Sequence, residues 1–269
     1  MSPRRTVSLL VLLWLSLVPD LAGAKERAAR IVIDPGHGGA KEGAHGPGTF
    51  LEKDMALQVA QKLRDKLEAA GAEVFLTRES DALLALSARV EFSNQHQPDL
   101  FVSIHANSMP TKRLRARTGG IETYFLSANA SGEAARAVAD RENAEAPTAK
   151  ASRGGSTLAF ILDDLARTEA HSDSSRLAYA IHPRLVARTG AGDRGVQQAP
   201  FFVLMGVEAP AVLVEVGFIS HPEEGVRLSR GEYQDKLAAA ISDGVLAFLR
   251  ETRKRDASHA EPMAGTPAP

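Results

Sequence analysis

Cysteine is absent from the 269 residues, which excludes a disulfide framework, a thiol nucleophile and a thiolate metal site; any metal has to be held by His, Asp or Glu. A surplus of either charge is absent as well. Lys and Arg total 32 against 33 for Asp and Glu, a formal net charge of -1, so no global field draws the chain to nucleic acid or an anionic membrane. What is present is ordinary globular composition, with 44% hydrophobic and 24% charged side chains, ample for one core and incompatible with collagen, coiled coil or wholesale disorder.

The N-terminus lacks the roughly 20 apolar residues of a membrane span. Instead Arg4 and Arg5 precede an apolar run from Val7 to Val18, Pro19 breaks it, and Ala22-Gly23-Ala24 supplies a small-x-small cleavage site. Residues 1–24 are therefore expected to be an export signal. The mature chain would begin near Lys25, periplasmic or secreted and without a membrane anchor. The paired arginines loosely resemble a twin-arginine signal, although Pro3 and Ser8 depart from that run, so this route and ordinary secretion both stay open.

From Ala29 to about Leu249 no internal repeat or long linker interrupts the alternation of strand-like and helix-like segments, and one α/β domain is the economical reading. Strands are expected at Arg30–Ile33, Ala72–Thr77, Leu100–His105, Ile121–Leu126 and Ala211–Glu215. Pro35 is expected to end the first of them, because it cannot donate within a central ladder. Helices are expected over Glu52–Ala70, with Gly71 as its stop, over Ser87–Gln97, around Leu177, Ile181, Leu185 and Arg188, and around Leu237, Ile241, Val245 and Phe248. Such alternation predicts a twisted, mostly parallel or mixed sheet of about six strands with helices on both faces. Residues 251–269, almost without apolar side chains, read as a disordered tail.

In such sheets, reactive groups gather where strands end. Four polar residues lie at those edges: His37 after the first strand, Glu52 opening the first long helix, His105 and Glu215 each closing an apolar strand. Two imidazoles and a carboxylate suit Zn²⁺ and leave the fourth tetrahedral position to water. Each residue also has an ordinary reading. Gly36, Gly38 and Gly39 around His37 can make a tight turn, Glu52 can serve the helix dipole, His105 can be a satisfied core histidine, and Glu215 can be paired. A phosphate-binding turn after Asp34 fits worse, since the spacing matches neither the P-loop nor the dinucleotide fingerprint.

Taken together, Ile33-Asp34-Pro35-Gly36-His37-Gly38-Gly39, Leu51-Glu52-Lys53-Asp54, Thr77-Arg78, Ser103-Ile104-His105-Ala106-Asn107 and Glu215-Val216-Gly217-Phe218-Ile219-Ser220 resemble, in order and spacing, the zinc-dependent N-acetylmuramoyl-L-alanine amidases. The resemblance runs from about Arg30 to Leu249. It implies one Zn²⁺ per chain held by His37, Glu52 and His105, with Glu215 as the catalytic glutamate. It implies peptidoglycan as substrate, cut between the lactyl group of N-acetylmuramic acid and the L-alanine of the stem peptide, in a catalytic domain over residues 25–250. Asn107 could orient a ligand or substrate, or cap its own turn. The remaining histidines, His45, His96, His171, His182, His221 and His259, have no motif around them that demands a metal.

The polar stretch at about residues 127–175 is long for a connection. With its Arg141-Glu142-Asn143 sequence it resembles the regulatory segment of cell-separation amidases, where a helix covers the zinc until a partner with a LytM-type domain displaces it. That likeness makes Glu142 the candidate plug and Glu145 the reserve; a solvated Ala- and Glu-rich helix face reads equally well. Leu158, Phe160, Ile161, Leu162 and Leu165 could face such a partner or pack the insertion onto the body. The competing functions are a zinc peptidase acting on stem-peptide bonds and a non-hydrolytic peptidoglycan-binding protein.

Overall fold

The computed structural model describes residues 27–144 and 169–260. The expected export signal, Glu145 and the apolar residues between Leu158 and Leu165 lie outside the described residues. Strand β1 (Arg30–Pro35) leads through a glycine-rich loop to helix α1 (Glu52–Ala69), then β2 (Glu73–Leu76), α2 (Leu86–His96) and β3 (Leu100–Asn107). The short α3 (Lys112–Arg115), β4 (Ile121–Leu126) and α4 (Glu133–Asn143) follow. After the undescribed stretch come α5 (Glu169–Thr189), β5 (Asp193–Ala199), β6 (Ala211–Phe218), α6 (Pro222–Leu228) and α7 (Gly231–Ala260).

The six strands form one sheet in the order β2-β1-β3-β6-β4-β5. The first four are parallel, β4 runs antiparallel to β6, and β5 is parallel to β4. This is the mixed sheet that the alternation predicts. Side chains alternate across it. Ile31, Ile33, Val102, Ile104, Val212 and Val214 face the larger core with α1, α5 and α7, whereas Val32, Phe101 and Leu213 face a smaller one with Tyr124, α4 and the 199–211 segment. Followed toward the C-terminal strand ends, the smaller face turns polar, through Asp34, Ser103, His105 and Glu215. Apolar residues on that face hold the sheet, and polar ones at its end make the site.

Four expectations need correction. Pro35 does not fall outside the sheet: β1 includes it, opposite Ile104. The ladder to β2 has already ended at Ile33 and Leu76, and the bond to β3 comes from Gly36 N–H to Ile104 O at 3.0 Å, so no N–H is needed at Pro35. The tail is not irregular from residue 251, because α7 continues to Ala260; extending a formed helix is cheap, and Arg255 grips Asp173 of α5 through two bonds of 2.8 and 2.9 Å. The 127–175 connection is shorter than expected, since α5 begins at Glu169. Strand β5 was not anticipated: Asp-Arg-Gly-Val-Gln-Gln-Ala has no apolar alternation, because it is a half-buried edge strand paired only with β4.

Candidate metal centre

The loop after β1 brings His37 over the end of the sheet with its backbone left-handed, at φ 60°. Gly36 makes room for the His105 ring against the loop, since a Cβ there would collide with it. Helix α1 starts at Glu52, whose carboxylate accepts from Ala44 N–H at 2.8 Å and from Ala106 N–H at 3.0 Å. His105 lies near the end of β3, in register with Glu215 of β6, where a shift after His105 marks a bulge of the kind that re-aims side chains at sites. Three expected residues therefore converge. Glu52 Oε1 is 2.8 Å from His37 Nε2 and 3.1 Å from His105 Nδ1.

Glu142, on the last turn of α4, joins them, with Oε2 3.4 Å from His37 Nε2 and 3.2 Å from His105 Nδ1. One ligand atom from each of the four falls within 4.8 Å of all the others, and all four residues are buried. The set could hold a metal ion, and its electrostatics fit one. Burial pushes Glu52 and Glu142 toward neutrality, but the imidazoles outweigh it: His37 and His105 hold Glu52 well below the usual carboxylate range, and His105 holds Glu142 below it. Burial likewise opposes a charge on His105, yet Glu142 and Glu52 drive its pKa well above that of an ordinary histidine. The two carboxylates call for positive charge between them, and two borderline-soft nitrogens with two oxygens are donors suited to a dication.

Glu215 is fully buried, 0% exposed, and neither carboxylate oxygen has a hydrogen-bond partner among the described residues. Burial, then the Glu142 carboxylate, push its pKa well above the usual range, against the pull of Arg141, whose guanidinium lies 3.8 Å away. A carboxyl group so placed can hold a proton near neutral pH. Asn107 does not bond to the four-residue cluster. Its Oδ1 accepts from Ser108 N–H at 2.8 Å and from Arg141 at 3.0 Å, and its amide donates to Glu122 at 2.8 Å, so it both caps its turn and anchors α4. Arg141 also donates to Glu142 at 3.0 Å and to Ser108 O at 3.2 Å. Arg141 is marked in the sequence only as a basic residue adjoining the candidate plug Glu142. Of the histidines without a motif, His182 is buried in α5 between Thr123 and Asp193.

The sequence profile of the N-acetylmuramoyl-L-alanine amidases matches residues 31–247. This chain belongs to that family. AmiA of Escherichia coli is 34% identical over 222 residues, covering 81% of this chain and 75% of AmiA. LytC of Bacillus subtilis is 34% identical over 220 residues, covering 82% of this chain but only 35% of LytC. The fold agrees: an N-acetylmuramoyl-L-alanine amidase from Clostridium difficile superimposes with a TM-score of 0.65 at 28% identity, covering 84% of this chain and 98% of that one. The family's matched span contains His37, Glu52, His105, Glu142 and Glu215. No described helix is long and apolar enough to cross a membrane.

Proposed function

We propose that the chain hydrolyses the amide between N-acetylmuramic acid and L-alanine in peptidoglycan, that it holds one Zn²⁺ between His37, Glu52 and His105, and that the geometry described above is its closed form. The observation that carries this reading is the meeting of two imidazoles and two carboxylates from separate elements, at 2.8 to 3.4 Å, in buried surroundings. Zinc bound there would supply Lewis acidity and lower the pKa of water to about 7. The protein does the rest. Ala44 and Ala106 N–H groups orient Glu52, and the strand ends fix His105 beside Glu215. Glu215 takes a proton from the attacking water and delivers it to the leaving L-alanine nitrogen, a role suited to its buried place beside His105 and worth about 10² to 10⁴ in rate.

Glu142 occupies the side of the cluster that water would need, and Arg141 stands against the proton carrier. Helix α4 therefore serves as an autoinhibitory plug, displaced by an activating partner of the LytM-domain type. The substrate requires export, which fits residues 1–24 as a signal peptide, by the twin-arginine or the ordinary route, and a periplasmic or secreted mature chain. Mass spectrometry of purified sacculi digested by the mature chain tests the reading. Intact stem peptides bearing a free L-alanine amine are expected. Fragments cut within the stem would make the chain a peptidase, and no release after removal of α4 would make it a binding protein.

A further inference from the structure

Beneath the His37 loop lies a second charged group that the proposed reaction does not use. Arg89 of α2 is 1% exposed. Its guanidinium donates to Asp34 Oδ1 at 2.7 Å, to Pro35 O at 2.7 Å, to His37 O at 2.6 Å and to Leu84 O at 3.2 Å. Arg78 approaches from the other side and donates to Pro35 O at 3.0 Å, to Gly36 O at 2.7 Å and to Lys53 O at 2.8 Å. The carbonyls of Pro35, Gly36 and His37 are thus all held by guanidinium N–H groups. Lys53 is the residue after Glu52, so the same arginine also ties the start of α1 to the loop.

We infer that Arg89, assisted by Arg78, is a positioning residue of the metal centre, whose planar fork fixes the left-handed backbone at His37 and so aims that imidazole at Glu52 and His105. A residue with a Cβ at φ 60° is in an uncommon, mildly strained conformation that surrounding contacts can fix. The support here is directional. Buried ion pairs contribute little net stability compared with well-packed apolar side chains, and the Asp34–Arg89 pair alone would not require Arg89 to hold the Pro35 and His37 carbonyls as well. Asp34 is itself held by Thr77 Oγ1 at 2.6 Å, just past the end of β2, and by Ser103 Oγ of β3 at 2.8 Å, on either side of β1. The chain of contacts therefore runs from the rigid sheet through Asp34 and Arg89 to the His37 carbonyl. Lysine has the charge but not the fork, so it cannot span Asp34 and both carbonyls at once.

The inference rests on the zinc reading, and its test separates the two. Zinc affinity is measured on the mature chain by competition with a chromophoric chelator, together with the visible spectrum of the cobalt-substituted protein and the melting temperature. Arg89→Lys is expected to weaken zinc binding about ten- to hundredfold, the range typical of groups that orient metal ligands, and to change the cobalt spectrum. Ile241→Ala, in the core on the other face of the sheet, is expected to lower the melting temperature while leaving affinity within about twofold. If Arg89→Lys does not fold, Arg78→Lys, which leaves the Asp34–Arg89 pair intact, is held to the same outcome. Zinc affinity and cobalt spectrum unchanged in the folded arginine variant, or an equal loss of affinity in Ile241→Ala, overturns the inference alone. A parent chain that takes up no zinc overturns the metal reading with it.

Discussion

Glu215 and Asp34 are both buried carboxylates at the polar end of the smaller face, and their surroundings give them opposite tasks. Glu215 has no hydrogen-bond donor among the described residues and a raised pKa, so Glu215→Gln should leave the fold and zinc content intact while lowering hydrolysis of sacculi by about 10² to 10⁴. Near-normal turnover by that variant would remove Glu215 from the mechanism. For Asp34, burial works against ionisation, but Arg89, Thr77 and Ser103 together outweigh it and hold the pKa below that of the unfolded chain. Its contribution to stability is therefore complete above the unfolded pKa of about 3.9 and is lost as pH falls through the lower folded value. Asp34→Asn leaves the Arg89 charge buried without its partner and should cost about 3 to 5 kcal/mol in urea denaturation at pH 7. The cost should shrink in acid, and a difference that does not narrow with falling pH would contradict the assignment. The motif runs display Asp34, His37, Glu52, His105 and Glu215 in the sequence, because each sits at a recognisable strand or helix end. Arg89 stays hidden there, since nothing in Leu-Ser-Ala-Arg-Val marks a residue whose partners are 52 to 55 positions away.

At the scale of the element, α4 is the proposed plug of the centre. It is held at three points: Glu142 in the cluster, Arg141 on Asn107 and Ser108, and Asn143, whose amide donates to Pro200 O at 2.7 Å and accepts from Phe202 N–H at 2.8 Å. Losing a charge-assisted contact worth about 1.5 to 3 kcal/mol shifts a closed–open equilibrium about ten- to hundredfold. Glu142→Ala should thus raise basal release of label from dyed sacculi by about that factor, and Asn143→Ala, which frees a neutral latch, by less. Equal or lower activity in Glu142→Ala would show that α4 does not block the site. Long amphipathic elements such as α1 and α7 are legible because apolar residues recur every three or four positions over many turns. Strand β5 and the helical residues after Arg250 are not, because an edge position and a pair of ionic contacts to α5 stabilise them, and neither leaves a periodic trace.

For the whole molecule, the sheet separates two duties: the larger core on the α1, α5 and α7 face carries most of the apolar burial, while the smaller face carries the candidate site and packs against α4, its proposed cover. Ala135, Val138 and Ala139 of α4 contribute to that smaller core. Deleting residues 128–172 should therefore give a chain that melts at a lower temperature yet releases more label from sacculi. A deletion variant that is well folded and no more active would contradict the cover. All of this depends on a single dication bound by residues that lie far apart in the sequence, and zinc K-edge absorption spectroscopy of the mature chain examines it most directly. The account predicts one zinc per chain with two imidazole nitrogens at about 2.0 to 2.1 Å and carboxylate oxygen at about 2.0 to 2.2 Å, the histidine signal falling by half in His37→Ala or His105→Ala. A first shell without histidine, or a chain that binds no zinc, would contradict it.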